Sequence, residues 1–426
     1  MTRLVEMPGS SGGNARSRGR TLAEVYRRFG ETEEAKGSPL SGQVAIALSE
    51  SAEALQVIEA APPRRRHPSL VLAALHDLAL AGQAPALATA LAAANASTAP
   101  ATPTDPSSKP SSKPSSKPSS KPSSKPTSEP TSEHSAEAVA DAPLRGAASG
   151  VRVRSAGVVA VEVMVGMGEL VLGRIAGRKV RGDEGGRHAV LYPAVTEVAR
   201  RVGADAIGLI DVGRAAALNL TVDRVGISYG NGQFLGPAES AVQVLASVVG
   251  DGLLPSTVMP KVVARVAVGD ELVDVTGADE MRWLRACVPP DQVARLARLE
   301  AELALAAADP PEQVPGAVLD GLPEAIARVP DGVLPVVMTT WVLSGFGLEE
   351  RLRFLQRLDE AATRRPVAWV SVEGVGVAPG VPTYGDRRAS GHSILGVSVF
   401  EHSSLHASGV GRCWLRGEML AWLATT

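Results

Sequence analysis

A tetrapeptide repeat limits what this chain can fold into more than any other feature: SSKP is written five times over residues 107–126, followed by TSEP and TSEH up to residue 134. Proline at every fourth position removes backbone donors and disfavours helix, while Ser and Lys offer nothing to bury, so the segment is expected to stay extended and solvated. The repeat therefore divides the chain into a loose tail (1–20), a helical N-terminal region (21–95), a disordered linker (96–150) and a large folded region (151–426). A flexible coil of the linker's length spans roughly 40 Å end to end. If the two folded parts pack together, the linker is an expanded surface loop, because closure entropy grows only logarithmically with length.

Upstream of the repeat, apolar residues recur at helical spacing over 22–29, 44–58 and 70–80. Ala61-Pro62-Pro63 breaks the second run, and His67-Pro68-Ser69 marks entry to the third, with Ser69 the expected N-cap. Downstream, β-rich runs alternate with helical ones, which predicts a parallel sheet covered by helices. The expected strands are 206–212, 262–268, 313–319, 334–340, 367–373 and 394–400, with helices over 193–202, 281–308, 322–328 and 349–363. The last of these opens on Glu349-Glu350 and is followed by Arg364-Arg365, charges placed to suit a helix dipole. The fold class expected is α/β.

Composition removes several function classes. With 43 Lys plus Arg against 45 Asp plus Glu, the chain has no field to draw it to nucleic acid or anionic lipid. Two cysteines, Cys287 and Cys413, are too few for a disulfide framework or a zinc ribbon and suit a reducing, cytoplasmic setting. No secretory signal opens the sequence, and its longest strongly apolar charge-free run, 333–348, is shorter than the roughly 20 residues of a membrane span. That run reads as a buried strand and a turn.

The loop expected to carry chemistry follows the first predicted strand: Asp211-Val-Gly213-Arg214-Ala215-Ala216-Ala217-Leu-Asn219. In folds that bind dinucleotides or S-adenosylmethionine such a turn holds several glycines, because the backbone must bend sharply and approach the ligand with no side chain in the way. Only Gly213 remains here.

Several stretches together resemble the actinobacterial family called domain of unknown function 2332. They are Ser38-Pro39-Leu40, AAPPRRR ending at Arg66, Pro68-Ser-Leu70, LAALH ending at His76, and GRKVRGDEGGRHAVLYP starting at Gly177. Asp211-Val-Gly213, Leu218-Asn219-Leu220, Arg282-Trp283, Gln292 and the RLARL run ending at Leu299 complete the set. The resemblance implies a Rossmann-like, class I methyltransferase-type sheet with a helical N-terminal cap packed against it. It also implies a cofactor site at Asp211, Gly213 and Asn219, with S-adenosylmethionine as the cofactor.

This chain departs from that pattern where function should sit. Arg214, Ala215 and Ala217 stand where the family has Ala, Ser and a second Gly, and Arg181-Gly182-Asp183-Glu184 replaces a Gln-Thr-Asn-Glu stretch, keeping Glu184 and Arg187. An acidic residue is displaced to Asp270, a Gly-Asp pair has become Gly316-Ala317, and a His-Gly pair has become Val410-Gly411.

Glu184, Arg187 and Asp211 are candidates for a polar cluster at the mouth of the sheet, where open α/β folds bind ligands, or for an ion pair anchoring the preceding helix. His76 and Asp270 are further cleft candidates, set against a packed core histidine and a solvated turn carboxylate. His402 and His406, four apart beside Glu401, lack a third spaced ligand, so no metal is expected. No nucleophile elbow is visible. Two readings of function follow: a degenerate, non-catalytic relative that binds a small molecule or a protein partner, such as an intact paralogue, with no cofactor; or an S-adenosylmethionine-dependent methyltransferase of unknown substrate. The damaged loop favours the first.

Overall fold

The computed structural model describes residues 20–98 and 154–424, except 183, 251–252 and 256–257. The expected tail and almost all of the expected linker lie outside the described residues.

The N-terminal region is a set of short helices: α1 (Leu22–Ala35), α2 (Pro39–Glu50), α3 (Ala52–Glu59), α4 (Pro68–Leu80) and α5 (Pro85–Thr98). The single helix expected over 44–58 is two, because Ser51 caps α3 through a hydrogen bond accepted from Ala54 N–H. The N-cap of α4 is His67 rather than Ser69, since Pro68 takes the first helical position, where its missing N–H costs nothing. Two helices beyond the linker, α6 (Ala156–Gly166) and α7 (Gly168–Gly177), join the same core. Valine fills much of α6, yet its burial against α2 and α5 outweighs the weak helix propensity of β-branched residues.

Helix α8 (His188–Val202) leads into the sheet. Sequence alone started it at Pro193, which lies inside it. Proline has no N–H to give the Ala189 carbonyl one turn back, and the Tyr229 hydroxyl donates to that oxygen instead at 2.7 Å. Gly203, in the left-handed region at φ 70°, ends the helix.

The remaining elements are β1 (Ala206–Val212), β2 (Gly226–Tyr229), β3 (Phe234–Leu235), β4 (Gln243–Val248), β5 (Lys261–Gly269), α9 (Ala278–Ala286), α10 (Val293–Ala308), β6 (Glu312–Pro315), α11 (Val318–Ala327), β7 (Leu334–Thr340), α12 (Leu348–Ala361), β8 (Val367–Gly374), β9 (Ser393–Glu401), β10 (Ser404–Trp414) and β11 (Met419–Trp422). Among the described residues the strands form one sheet of eleven in the order β3-β2-β4-β11-β10-β9-β8-β7-β1-β5-β6. From β6 to β8 every neighbour is parallel; β9 and β10 run antiparallel to their neighbours, and β4 pairs parallel with both β11 and β2.

Two expectations fail at glycine and proline. The helix expected over 281–308 is broken into α9 and α10 around Pro289-Pro290, and the strand expected over 313–319 stops at Pro315. There Gly316 adopts φ 125°, a conformation open only to glycine, and α11 begins.

Strand parity sets the two faces. Ile207, Leu209, Val336, Met338, Val370 and Val397 enter the core under α8, whereas Ile210, Val212, Val337 and Trp369 enter the core under α11 and α12. Each fully buried Val, Leu or Ile of this kind contributes about 1.5–3 kcal/mol. The chain leaves β1 for β5 and β6 on one side, then returns to β7 and β8 on the other, so the switch point lies between β1 and β7. Among the described residues, no single helix is long and apolar enough to cross a membrane.

The helical region meets the rest through α9 and the segment after it. Trp283 and Ala286 lie in its core, Asp77 pairs with Arg282, Asp291 accepts from Leu40 N–H, and Asn95 donates to the Pro290 carbonyl.

Candidate functional site

Asp211 is the last inward residue of β1 on the face under α8, and Thr340 holds the same place on β7, so parity alone brings the two together at the switch point. Asn219, on the short helix after the loop, bridges them: its Nδ2 donates to Asp211 Oδ1 at 3.1 Å and to Thr340 Oγ1 at 3.2 Å. Its Oδ1 accepts from the backbone N–H of Arg187 at 2.9 Å, tying the start of α8 to the loop. Glu184 Oε2 accepts from Ala216 N–H at 3.2 Å. Glu184, Arg187, Asp211 and Asn219, singled out in the sequence, thus converge on one loop. Gly213 lies beside them, its N–H donating to the Val268 carbonyl.

The loop is closed rather than open. Asp211 is 0% exposed and Asn219 2%, and Ala215, Ala216 and Ala217 are all buried. Gly213 adopts φ 69°, and a Cβ on it would come within 2.8 Å of the Val342 side chain. The residue that fills the space beside Gly213 is therefore Val342. A Cβ on Gly269, at the end of β5, would meet Gly213 Cα at 3.4 Å, so the two loops touch. Ala217 and Trp341 also have positive φ, 49° and 56°. Each such non-glycine residue costs about 1–2 kcal/mol, which the packing around Asn219 must hold in place.

Burial pushes the Asp211 carboxyl up to about 7, against the hydrogen bond from Asn219 and the charge of Arg214, which work the other way. Its Oδ2 has no hydrogen-bond partner among the described residues. On the opposite face, Glu373 at the end of β8 accepts from Val342 and Leu343 N–H through Oε1 and is likewise pushed up to about 7 by burial.

Two other candidates lie elsewhere. His76 is buried in the helical core with Nδ1 3.2 Å from the Ala286 carbonyl, and burial lowers its pKa. Asp270 is exposed in the turn after β5. No group of His, Cys, Asp or Glu among the described residues can hold a metal ion. His402 and His406 are exposed, one in the β9–β10 turn and one on β10.

Sequence reasoning missed a cavity of about 470 Å³ next to this loop. It is lined by the segment entering α8, from Gly186 to Ala189; α10 contributes Arg295, Arg298 and Glu302; the β10–β11 turn contributes Arg416, and Lys36, just after α1, reaches it from the helical region. Arg187 belongs to both places. Its backbone holds Asn219, it is among the residues lining the cavity, and its guanidinium stands 5.4 Å over the Trp341 ring, which in turn is fixed by a hydrogen bond to Ser393 Oγ. His188 is fully buried, and neither ring nitrogen makes a hydrogen bond among the described residues. Glu302 Oε1 lies 3.7 Å from its Nε2, while Glu302 Oε2 accepts from Gly186 N–H at 2.9 Å. Burial lowers the His188 pKa to about 3, with Arg187 and Arg298 adding to the effect, and raises that of Glu302 to about 7. The imidazole is therefore neutral at physiological pH, with one donor and one acceptor. His188 sits within the GRHAVLYP stretch, but only burial distinguishes it from a surface histidine.

Fold and site together define a mixed α/β protein with a helical region, a closed polar loop at the switch point and a charged cavity beside it. Residues 23–109 and 152–422 match the family described as uncharacterised proteins conserved in bacteria, DUF2332, and the chain belongs to that family. No curated protein and no solved structure matches it.

Proposed function

We propose that this chain is a non-catalytic member of its family, built on a Rossmann-like, methyltransferase-type sheet, that acts by binding a ligand or a protein partner. Strand order supports the Rossmann-like part: β6-β5-β1-β7-β8 follows the order third, second, first, fourth, fifth, with antiparallel β9 where a dinucleotide-binding sheet continues in parallel. One observation carries the non-catalytic part. The residues that would line a nucleoside site, Asp211 and Asn219, are sealed from solvent and bonded to each other, and Val342 occupies the space over Gly213. A cofactor needs that space.

The test is calorimetric titration of the full chain with S-adenosylmethionine and S-adenosylhomocysteine, beside D211N, which keeps the shape of the side chain. No heat of binding at millimolar ligand, with the protein folded by circular dichroism, is the expected result. Micromolar binding that D211N weakens by about tenfold, or about 1.4 kcal/mol, would overturn the proposal and restore the reading as an S-adenosylmethionine-dependent methyltransferase, to be followed by a substrate screen.

A further inference from the structure

We propose that a second cavity, where the helical region meets the segment between α9 and α10, binds a small neutral aliphatic alcohol. This names a ligand for the binding reading above and rests on it, but it concerns residues other than those of the Asp211 loop.

The lining chooses an aliphatic body. The cavity encloses about 190 Å³, and Phe29, Leu72, Ala73, Val180, Val288 and Pro289 are among its walls. Ser41, Leu72, His76 and Pro290 also line a recess of about 30 Å³, whose other residues, Val44, Leu75, Leu87, Leu91 and Ala160, are all aliphatic. The cavity adjoins the charged one beside α8, sharing Glu33, Gly182, Pro289 and Arg295 with it. Ligand pockets favour such junctions between folded parts, with apolar walls and a few polar groups. An apolar protein cavity of about 150 Å³ holds a benzene ring, so this one has room for roughly seven heavy atoms.

Polar side chains without partners choose the hydroxyl. Ser41, in the first turn of α2, is 6% exposed, and its hydroxyl makes no hydrogen bond within the described residues. Nor does the hydroxyl of Ser69, in the first turn of α4 and also on the wall. His76 Nδ1 lies 3.2 Å from the Ala286 carbonyl, which only accepts, so Nδ1 carries the ring proton. Burial lowers the His76 pKa, against the Ala286 and Val288 carbonyls and the charges of Asp77 and Asp291, and the ring is neutral at physiological pH. Its Nε2 keeps a lone pair that meets no donor among the described residues. A ligand hydroxyl, being both donor and acceptor, can donate to Nε2 and accept from the Ser41 hydroxyl.

The charged groups choose a neutral ligand. Glu33 is paired with Lys36 at 3.0 Å, and Arg295 donates to the Gln292 side chain and the Gly182 carbonyl. Asp77, next to His76, is held by Arg174 and Arg282. These charges are already engaged, so an ionic ligand would give up its water for apolar walls with no free counter-charge.

The experiment titrates the full chain with cyclohexanol, cyclohexanone and cyclohexanecarboxylate by calorimetry, using wild type, S41A and A73L. The ketone keeps the ring and size of the alcohol without its donor, and the carboxylate adds a charge. Ser41→Ala removes a hydroxyl that bonds nothing in the fold, and Ala73→Leu puts a larger apolar side chain at the wall. Cyclohexanol is expected to bind roughly tenfold or more tightly than either analogue, to weaken about threefold or more in S41A and about tenfold or more in A73L. No heat from cyclohexanol at millimolar concentration with the protein folded by circular dichroism, equal affinity for the ketone or the carboxylate, or full affinity in either variant would each overturn the proposal. Failure here leaves the S-adenosylmethionine titration untouched, because that one is read at Asp211.

Discussion

Asp77 in the helical region and Asp211 in the sheet are carboxylates buried to the same degree, 1% and 0% exposed, yet they are answered differently. Asp77 meets two guanidinium groups, Arg282 Nε at 2.9 Å from α9 and Arg174 Nε at 3.2 Å from α7. Asp211 makes no ion pair within the described residues: the Asn219 amide donates to it and to the Thr340 hydroxyl, and the charge of Arg214 only partly offsets its burial. A charge held between opposite charges fastens elements together, and Asp77 fastens the helical region to α9. A buried carboxyl without an ion pair instead holds its neighbours by hydrogen bonds and resists ionisation, at the point in the sheet where ligands of open α/β folds sit.

Breaking the first arrangement has the largest expected effect. Asp77→Ala leaves two partly buried arginines without their anion and is expected to lower stability by about 3–4 kcal/mol, measured by urea unfolding. A loss under about 1 kcal/mol would show that the pairs are as weak as surface ones. Asn219→Ala removes the bridge in the second arrangement and strands Arg187 N–H, Asp211 Oδ1 and Thr340 Oγ1. It is expected to cost on the order of 2–3 kcal/mol in the same measurement. Gly213→Ala forces a Cβ into the left-handed region and against Val342, for about 1–2 kcal/mol in thermal unfolding; the double variant with Val342→Ala should recover part of it.

The two regions also differ in how far the sequence revealed them. β1 and β7 fall on the expected residues because strands buried on both faces are continuous apolar runs that end in a polar residue or a turn. Asp211 and Asn219 stood out because they flank a strand-to-helix loop, Glu184 and Arg187 because the family resemblance keeps them, and the fold brings the four together. α6 and α7 were not legible: their apolar residues run without a helical gap, and their helicity comes from a core supplied by residues before the linker. β2, β4 and β10 lack the apolar density of central strands, and β11, though apolar throughout, is only four residues long. The cavity residues are scattered from Glu33 to Glu418, and only tertiary packing assembles them. His188 and Glu302 are ordinary residues of helical sequence until burial makes them otherwise.

The smallest effect separates the two carboxylates most sharply, because it is one of sign. Asp211→Asn preserves the hydrogen bond from Asn219 and removes the titrating group. The Asp211 carboxyl is moved from its ordinary 3.8 up to about 7 in the folded chain. Between those values the folded state holds a proton that the unfolded state has lost, so its contribution to stability is fully present below about pH 4 and is lost as pH rises through 7. Glu302 and Glu373, also pushed up to about 7, act in the same direction, while His188, lowered to about 3, acts in the opposite one and finishes below its ordinary 6.5. Total stability is thus a poor readout, and the difference between D211N and wild type is a clean one, since the other groups cancel. D211N is expected to be within about 1 kcal/mol of wild type at pH 5, to gain on it up to about pH 7 and to level off above that. A difference independent of pH would mean that Asp211 is ionised throughout, held by a cation as Asp77 is, and the contrast between the two regions would vanish.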